Sequence, residues 1–423
     1  VQAQPASPAT LRVLTLEDAI SLAEELNPAL LAAREQLKAA KGAVWGATGR
    51  MLPSIQFSGM WNFLEKIQVI PNPFAPGTTL KLDFTQDYSG GVAVGLPVFS
   101  WGSVRAGLQD ARTAEESVRT DIESTRSDIV LQVTRAYYGV LLAERGLQVA
   151  RDALAQAERQ EQIAAERLSQ GAVSEFDHLR ARVQVANLRP GVARAESGLH
   201  GARIGLNLVL GLEPDEEVRL SGDLTYQPVT LDLEMLKAEA QANRAEIRTA
   251  RLSEQRADLA VSMARASRLP NLAISGQYGF RADNALLSQR FSDSYAANMV
   301  LAIPIFDGFA ARSRTAQARA GRQQAKIMIE QTRRSIEAEV EQAYQDLLAA
   351  EQSYLAQADN VTQAERALEI AQVSYENEMM TSVELMDSQL ALTMARQNHY
   401  QSLYDYRIAL ARIERAIGRP VSF

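Results

Sequence analysis

Residues 133–164 read VTRAYYGVLLAERGLQVARDALAQAERQEQIA. Val133, Val140, Leu147 and Leu154 stand seven apart, and Ala136, Ala143, Ala150, Ala157 and Ala164 occupy the position three residues beyond each seam step. This is the a/d pattern of a coiled coil, with alanine at one of the two seam positions throughout. A small residue at every other knob lets helix axes approach closely, which suits a packed array better than a leucine-cored bundle. The pattern extends from about Val104 to Gly171, and at 1.5 Å per residue such a helix spans roughly 100 Å. That is too long for an ordinary globular core.

The same helix recurs. Val340, Leu347, Tyr354, Val361 and Leu368 repeat the first seam position, and Ala343, Ala350, Ala364 and Ala371 the second, with Gln357 the one break. The offset is 207 residues, and it also superposes Ala136-Tyr137 on Ala343-Tyr344, Asp177 on Glu384 and Gly211 on Gly418. A repeat this regular predicts two copies of one unit making a single elongated body: a first repeat over 1–211, a linking segment over 212–230 and a second repeat over 231–423.

Bulk properties narrow the class. The chain has 423 residues, a net charge of −7 and no cysteine, with a pI near 5.3. The acidic balance, without any basic run interleaved with aromatics, argues against nucleic acid as a partner. Absence of cysteine rules out disulfides, thiolate metal sites and a lipidated N-terminal cysteine in the sequence as given. No run of eighteen apolar residues offers a spanning helix, but barrel strands alternate and leave hydropathy low. Val1-Gln2-Ala3-Gln4-Pro5 is polar and carries no signal sequence, which fits a processed start and an intracellular one alike.

Along the chain, Thr15 is a candidate N-cap with Asp18 three residues later, and Asn27-Pro28 predicts a break before a helix to about Arg50. Then the period changes from seven to two. From Ser54 to Phe63 the odd positions hold Ile55, Phe57, Gly59, Trp61 and Phe63, while the even ones hold Ser54, Gln56, Ser58, Met60 and Asn62. This predicts a one-sided strand over 54–63, and Val92, Val94, Leu96 and Val98 predict a second over 91–99, followed by a helical hairpin over 104–210. Leu272, Ile274, Gly276, Tyr278 and Phe280 repeat the first strand at an offset of 217 (271–280); Met299, Leu301, Ile303 and Ile305 repeat the second at 207 (297–306) before a hairpin over 309–418. The ten missing residues belong to the inter-strand loop, where length changes are tolerated. Pro97 and Pro304 are expected at strand ends, where the lost amide hydrogen costs least.

Strands of about ten residues with one apolar face and aromatic ends have transmembrane β dimensions. A small antiparallel sheet packed on helices shows the same alternation, but it gives no account of the helix length. Four strands cannot close a barrel and open edges cannot lie in lipid, so a membrane reading requires sister chains.

The order helix, strand, loop, strand, long helix, turn, return helix, all duplicated, resembles the TolC family of outer-membrane efflux proteins. So do Leu52-Pro53-Ser54-Ile55, Leu269-Pro270-Asn271-Leu272, Leu96-Pro97-Val98-Phe99 with Trp101-Gly102, Ile303-Pro304-Ile305-Phe306-Asp307-Gly308, and Arg167-Leu168-Ser169-Gln170-Gly171 followed by Ser174, Asp177 and Leu179. The resemblance covers essentially the whole chain. It implies a mainly α fold with a membrane β-barrel portion. Each protomer of a homotrimer gives four strands to a shared twelve-stranded barrel, and the duplicated hairpins form a periplasmic α-barrel. It further implies residence in the Gram-negative outer membrane with a periplasmic extension, contact with outer-membrane lipid, a periplasmic adaptor (membrane fusion) protein and an inner-membrane pump. The function implied is a passive, gated exit duct for efflux or one-step secretion. Alternatives are a soluble coiled-coil scaffold and an autonomous trimeric porin.

Nothing in the residues supports catalysis, and no cofactor or metal is expected. His178, His200 and His399 lack ligand spacing, and Ser89-Gly90-Gly91 lacks the lysine and strand-to-helix setting of a phosphate loop. By the resemblance, Asp177, Glu384 and Asp387 line the periplasmic mouth, where threefold symmetry makes each a ring favouring cations. Acidic residues early in a helix also simply complement its dipole, and that reading stays open, most of all for Asp177. Tyr375 matches a gate tyrosine. Met380 stands where some members have a latching arginine, and Glu378 replaces the glycine matching Gly171, so a closing contact falls to Arg167, Arg180 or Arg182. Gly171, Ala172, Val173 and Ser174 form the turn that in the family meets the adaptor, although Gly171 also reads as a helix C-cap. Trp61, Phe63, Tyr278 and Phe280 are expected in an interfacial aromatic girdle.

Overall fold

The computed structural model describes residues 12–63, 67–83, 86–171, 173–283, 290–377 and 379–420. In chain order the elements are β1 (Arg12–Leu14), α1 (Leu16–Leu26), α2 (Pro28–Gly49), β2 (Ser54–Phe63), β3 (Ile67–Pro71), β4 (Thr79–Asp83), β5 (Gln86–Phe99), α3 (Ser103–Ser169) and α4 (Glu175–Leu210). They continue with β6 (Val218–Leu220), α5 (Leu233–Asn243), α6 (Ala245–Ala266), β7 (Asn271–Asp283), β8 (Arg290–Ala302), α7 (Ala310–Glu376) and α8 (Ser382–Ile417). Helices α3 and α7 both have 67 residues, starting at Ser103 and Ala310, an offset of 207. Helices α4 and α8 both have 36. The pairs α1/α5 and α2/α6 have 11 and 22 residues, at an offset of 217.

Two compact units result, each drawing on both repeats. The first comprises Val1–Arg34, Thr120–Ile247 and Gln331–Phe423. Its core is the heptad seam: Val133, Val140, Leu147, Ala157 and Ala164 of α3, and Val340, Ala343, Leu347, Leu368 and Ala371 of α7, are all buried. Local signals set where helices begin. The Thr15 hydroxyl accepts from the Asp18 amide at 3.2 Å while Asp18 Oδ2 accepts from the Thr15 amide at 3.1 Å, a reciprocal cap. Asn27, between α1 and α2, donates from Nδ2 to Val209 O at 2.7 Å near the end of α4. Gly211 ends α4 with φ +80°, and a Cβ there would lie 2.4 Å from Leu26 O, so glycine is required twice over. A short strand is expected in the segment Leu212–Leu231, and β6 lies there; its parallel partner β1 went unread in the sequence, three residues being too few to show a period.

The position matching Asn27 in the second repeat is Arg244, only 4% exposed. Its guanidinium donates to Glu246 at 2.9 Å, to Glu339 at 2.8 Å, and to the carbonyls of Arg415 and Ala416 at 3.0 and 3.2 Å. A cation on the terminal carbonyls of α8 satisfies orphan acceptors and the helix dipole together.

The second unit comprises Glu35–Arg119 and Arg248–Glu330. Its sheet runs β2-β5-β7-β8, antiparallel throughout, leaving β2 and β8 as edges. The register sorts residues cleanly by face. One face carries the rows Phe57–Val92–Tyr278–Tyr295 and Ile55–Val94–Gly276–Ala297; the other carries Ser54–Gly95–Ser275–Asn298 and Gln56–Ala93–Gln277–Ala296. Two strands, the inner β5 and the edge β8, are longer than their own alternation indicates. β5 begins at Gln86 and β8 at Arg290; in β5 the run Ser89-Gly90-Gly91 takes its apolar cover from a neighbour, since a Cβ on Gly90 would fall 2.6 Å from the Phe280 ring. Of the two prolines expected at strand ends, one is there and one is not. Pro97 is in the last three residues of β5, at an irregularity in the pairing with β7, which absorbs the missing donor. Pro304, with Ile303 and Ile305, lies beyond the end of β8. The loop after β2 contains the antiparallel ribbon β3–β4.

Candidate functional site

Two places matter: the turns closing the helical hairpins, and the apolar face of the sheet. At the first turn, Gly171 takes φ +72° as the helix stops. Ser174 is the N-cap of α4: its hydroxyl accepts from the Asp177 amide at 3.1 Å and donates to Asp177 Oδ2 at 2.6 Å. The Ser174 hydroxyl bond holds the Asp177 carboxyl below its ordinary range, helped by Ser382 and the Arg180 charge against partial burial. The second turn repeats the arrangement one repeat later. Thr381 caps α8, and Glu384 Oε2 accepts from the Thr381 amide at 2.9 Å and its hydroxyl at 2.8 Å. Those bonds lower the Glu384 carboxyl as well.

The two turns meet within one chain, where the Ser382 hydroxyl donates to Asp177 Oδ1 at 3.3 Å. Asp177 and Glu384 are thus both cap-closing residues, and both are anionic at neutral pH. Asp387, one turn further along α8, is exposed. Tyr375 lies under the Arg167 guanidinium, 5.5 Å from ring centroid to Cζ, a cation–π arrangement. Arg180 sits 5.6 Å over the Phe176 ring. Met380 packs with Tyr375 against Leu368, Ala371, Leu385 and Leu392, while Met379 is 74% exposed. Ser174 is exposed and Val173 half-buried at the turn, and Ala172 and Glu378 lie outside the described residues. A tie absent from the sequence reading is His178 to Glu161, 3.2 Å apart across the first hairpin.

On the sheet, Trp61 and Tyr278 are exposed, and Phe280 is exposed beside Gly90. Phe63 is in β2, but its side chain lies outside the described groups. The register places Trp61 opposite Tyr88, and Tyr278 between Val92 and Tyr295. At the opposite end, where the strands join the long helices, Phe99 meets Trp101 edge-on at 5.1 Å and Phe306 meets Phe309 edge-on at 5.7 Å. This second aromatic group was missed in the sequence. Its signal lay in the matched pairs Trp101-Gly102 and Gly308-Phe309, where all four residues have positive φ (50, 78, 62 and 68°). Each turn needs two left-handed residues and has glycine at one, so the aromatic accepts backbone strain of about 1–3 kcal/mol. Among the described residues no cluster of His, Asp or Glu is arranged to hold a metal.

An exposed apolar sheet face bounded by aromatics, in a chain that also has two long helical hairpins, fits an outer-membrane channel better than a water-soluble sheet. The comparisons with known proteins agree. The family model described as "Outer membrane efflux protein" matches residues 19–212 and again 236–419. Protein CyaE of Bordetella pertussis is 29% identical over 389 residues, covering 91% of this chain and 80% of its own. Outer membrane protein TolC of Vibrio cholerae is 25% identical over 412 residues, covering 95% and 90%. The Campylobacter jejuni CmeC outer membrane channel superposes with a TM-score of 0.79 at 17% identity, over 95% of this chain and 85% of that one. The chain belongs to the outer membrane efflux protein family. It is an exit duct of the outer membrane, with its helical hairpins on the periplasmic side.

Proposed function

We propose that three copies of this chain close a twelve-stranded barrel and form a passive, gated duct that a periplasmic adaptor and an inner-membrane pump complete. The observation that carries this reading is the sheet itself. Its apolar face leaves Phe57 and Tyr295 67% and 88% exposed, and among the described residues the edge strands β2 and β8 each pair on one side only. Lipid covers such a face, and in lipid each open edge must find a strand from another chain. Between the row at Trp61–Tyr88–Ala282 and the row at Phe99–Leu272, β7 advances ten residues, or about 34 Å along the strand. Tilted by about 40°, that matches an apolar band of about 25 Å.

In this reading the polar face, with Gln56, Ser58 and Gln277, lines an aqueous channel. Asp177, Glu384 and Asp387 form acidic rings at the periplasmic mouth, Tyr375 and Met380 pack behind them, and the turn Gly171–Ser174 meets the adaptor. The chain itself carries out no chemical step. The rings favour cations and the mouth rests nearly shut. Planar-bilayer recording of the purified trimer tests this: a small, cation-selective conductance is expected, and Glu384→Ala with Asp387→Ala should move the reversal potential toward zero. A large ungated conductance would instead favour an autonomous porin, and an unchanged reversal potential would remove Glu384 and Asp387 from the pore.

A further inference from the structure

Among the described residues the ribbon β3–β4 has no counterpart in the second repeat, where β7 and β8 are joined by residues 284–289. It lies between Phe63 and Gln86 in the chain, at the end of the sheet opposite the helices and beyond the aromatic row at Trp61 and Tyr88. Its tip is highly organised. The Asn72 amide donates to Thr78 O at 2.9 Å, Asn72 Oδ1 accepts from the Phe74 amide at 2.9 Å, and the Thr78 hydroxyl and amide both reach Ala75 O, at 2.8 and 3.1 Å. Pro71, Pro73 and Pro76 stiffen it, and Gly77 turns it with φ +90°. What this frame presents is Phe74, 92% exposed.

A single exposed phenyl is ordinary; a phenyl held out on a proline-braced, hydrogen-bonded tip is preorganised for contact. Lipid is the less suitable partner, because in the chain the ribbon lies past the aromatic row at Trp61, on the side away from the apolar band. The dimensions favour sister chains. Twelve strands about 4.8 Å apart, tilted about 40°, give a barrel radius of roughly 12 Å. The five-residue strands of the ribbon reach about 17 Å, enough to bring each tip to the axis. One ribbon per chain gives three tips related by the threefold axis.

We propose that the β3–β4 ribbons of three chains fold over the outer end of the barrel and meet through Phe74, making a cell-surface constriction separate from the periplasmic mouth. This rests on the trimeric-barrel reading. The chain has no cysteine, so Phe74→Cys places a sole thiol at the tip, with Ala75→Cys as a neighbouring second probe. Oxidising outer membranes with copper phenanthroline should link up to two of every three chains as dimers on non-reducing gels. Asp83→Cys, opposite Ile67 at the far end of the ribbon, should link few. A particle of three chains in which neither tip variant cross-links overturns the inference alone. So does quenching of a fluorophore on Phe74→Cys by brominated lipid, which would put the tip in the membrane. A particle of one chain overturns the trimeric reading and this inference together.

Discussion

Val94 and Ala93 are neighbours on β5, both exposed in the single chain, and they sit on opposite faces of the sheet: Val94 in the row with Ile55 and Gly276, Ala93 in the row with Gln56 and Gln277. On a water-soluble sheet, arginine at either exposed position would change stability by about 0.5 kcal/mol or less. In the barrel the two positions differ sharply. The Val94 row lies between the two aromatic groups, near the middle of the apolar band. An arginine facing lipid at that depth costs about 2–4 kcal/mol in each chain, falling to about 0–1 kcal/mol near an interface. Ala93 faces the channel, where its arginine stays hydrated. Val94→Arg should therefore destabilise by several kcal/mol, Trp61→Arg by about 1 kcal/mol, and Ala93→Arg by less than either. The assay is reversible urea unfolding in lipid vesicles, followed by tryptophan fluorescence and by heat-modifiable mobility of the oligomer. Equal effects at Val94 and Ala93, or a larger effect at Trp61 than at Val94, would refute the placement of the apolar face in lipid.

Arg244→Ala should cost about 1–3 kcal/mol, because it leaves the last carbonyls of α8 and Glu339 without their buried donor while Glu246 keeps Arg415 at 2.8 Å; Arg244→Lys should recover only part, and thermal unfolding of the purified protein reads both. Gly211→Ala should be much more damaging than Gly418→Ala. Both pay about 1–2 kcal/mol for positive φ, but a Cβ at 211 also meets Leu26 O at 2.4 Å whereas at 418 the nearest atom is 3.5 Å away; denaturant midpoints of the two variants check the order. The Asp177 and Glu384 carboxyls are held below their ordinary values. Their contribution to the turns is therefore present above the unfolded pKa, and is lost as pH falls through the lowered folded one. Amide exchange in the first turns of α4 and α8 should quicken as pH drops below about 4, after correction for intrinsic exchange, and Glu384→Gln should flatten that dependence in α8 alone.

The fold was legible where one strand or helix carries its own pattern. The alanine seam at Ala136, Ala143 and Ala150, with its echo 207 residues later, predicted both hairpins, and Ile55, Phe57 and Trp61 marked β2 from end to end. It was illegible where cover is borrowed. Ser89-Gly90-Gly91 shows no apolar alternation, because Phe280 of the adjoining strand supplies the ring that lies over Gly90. The β3–β4 ribbon carries alternation over five-residue strands only, too few to separate from a loop. At the turns, the spacings Ser174–Asp177 and Thr381–Glu384 are the cap signature, and they could have been read as such before any pore role was considered. Arg244 went unnoticed because its role depends on tertiary contacts, although its correspondence with Asn27 at the 217-residue offset was available in the sequence.

The central claim is that lipid covers the apolar face and that sister chains pair with the edges β2 and β8. Native mass measurement of the particle extracted from outer membranes in mild detergent addresses it directly. The account predicts three chains in one particle; a stable single chain, or release into buffer without detergent, would contradict it.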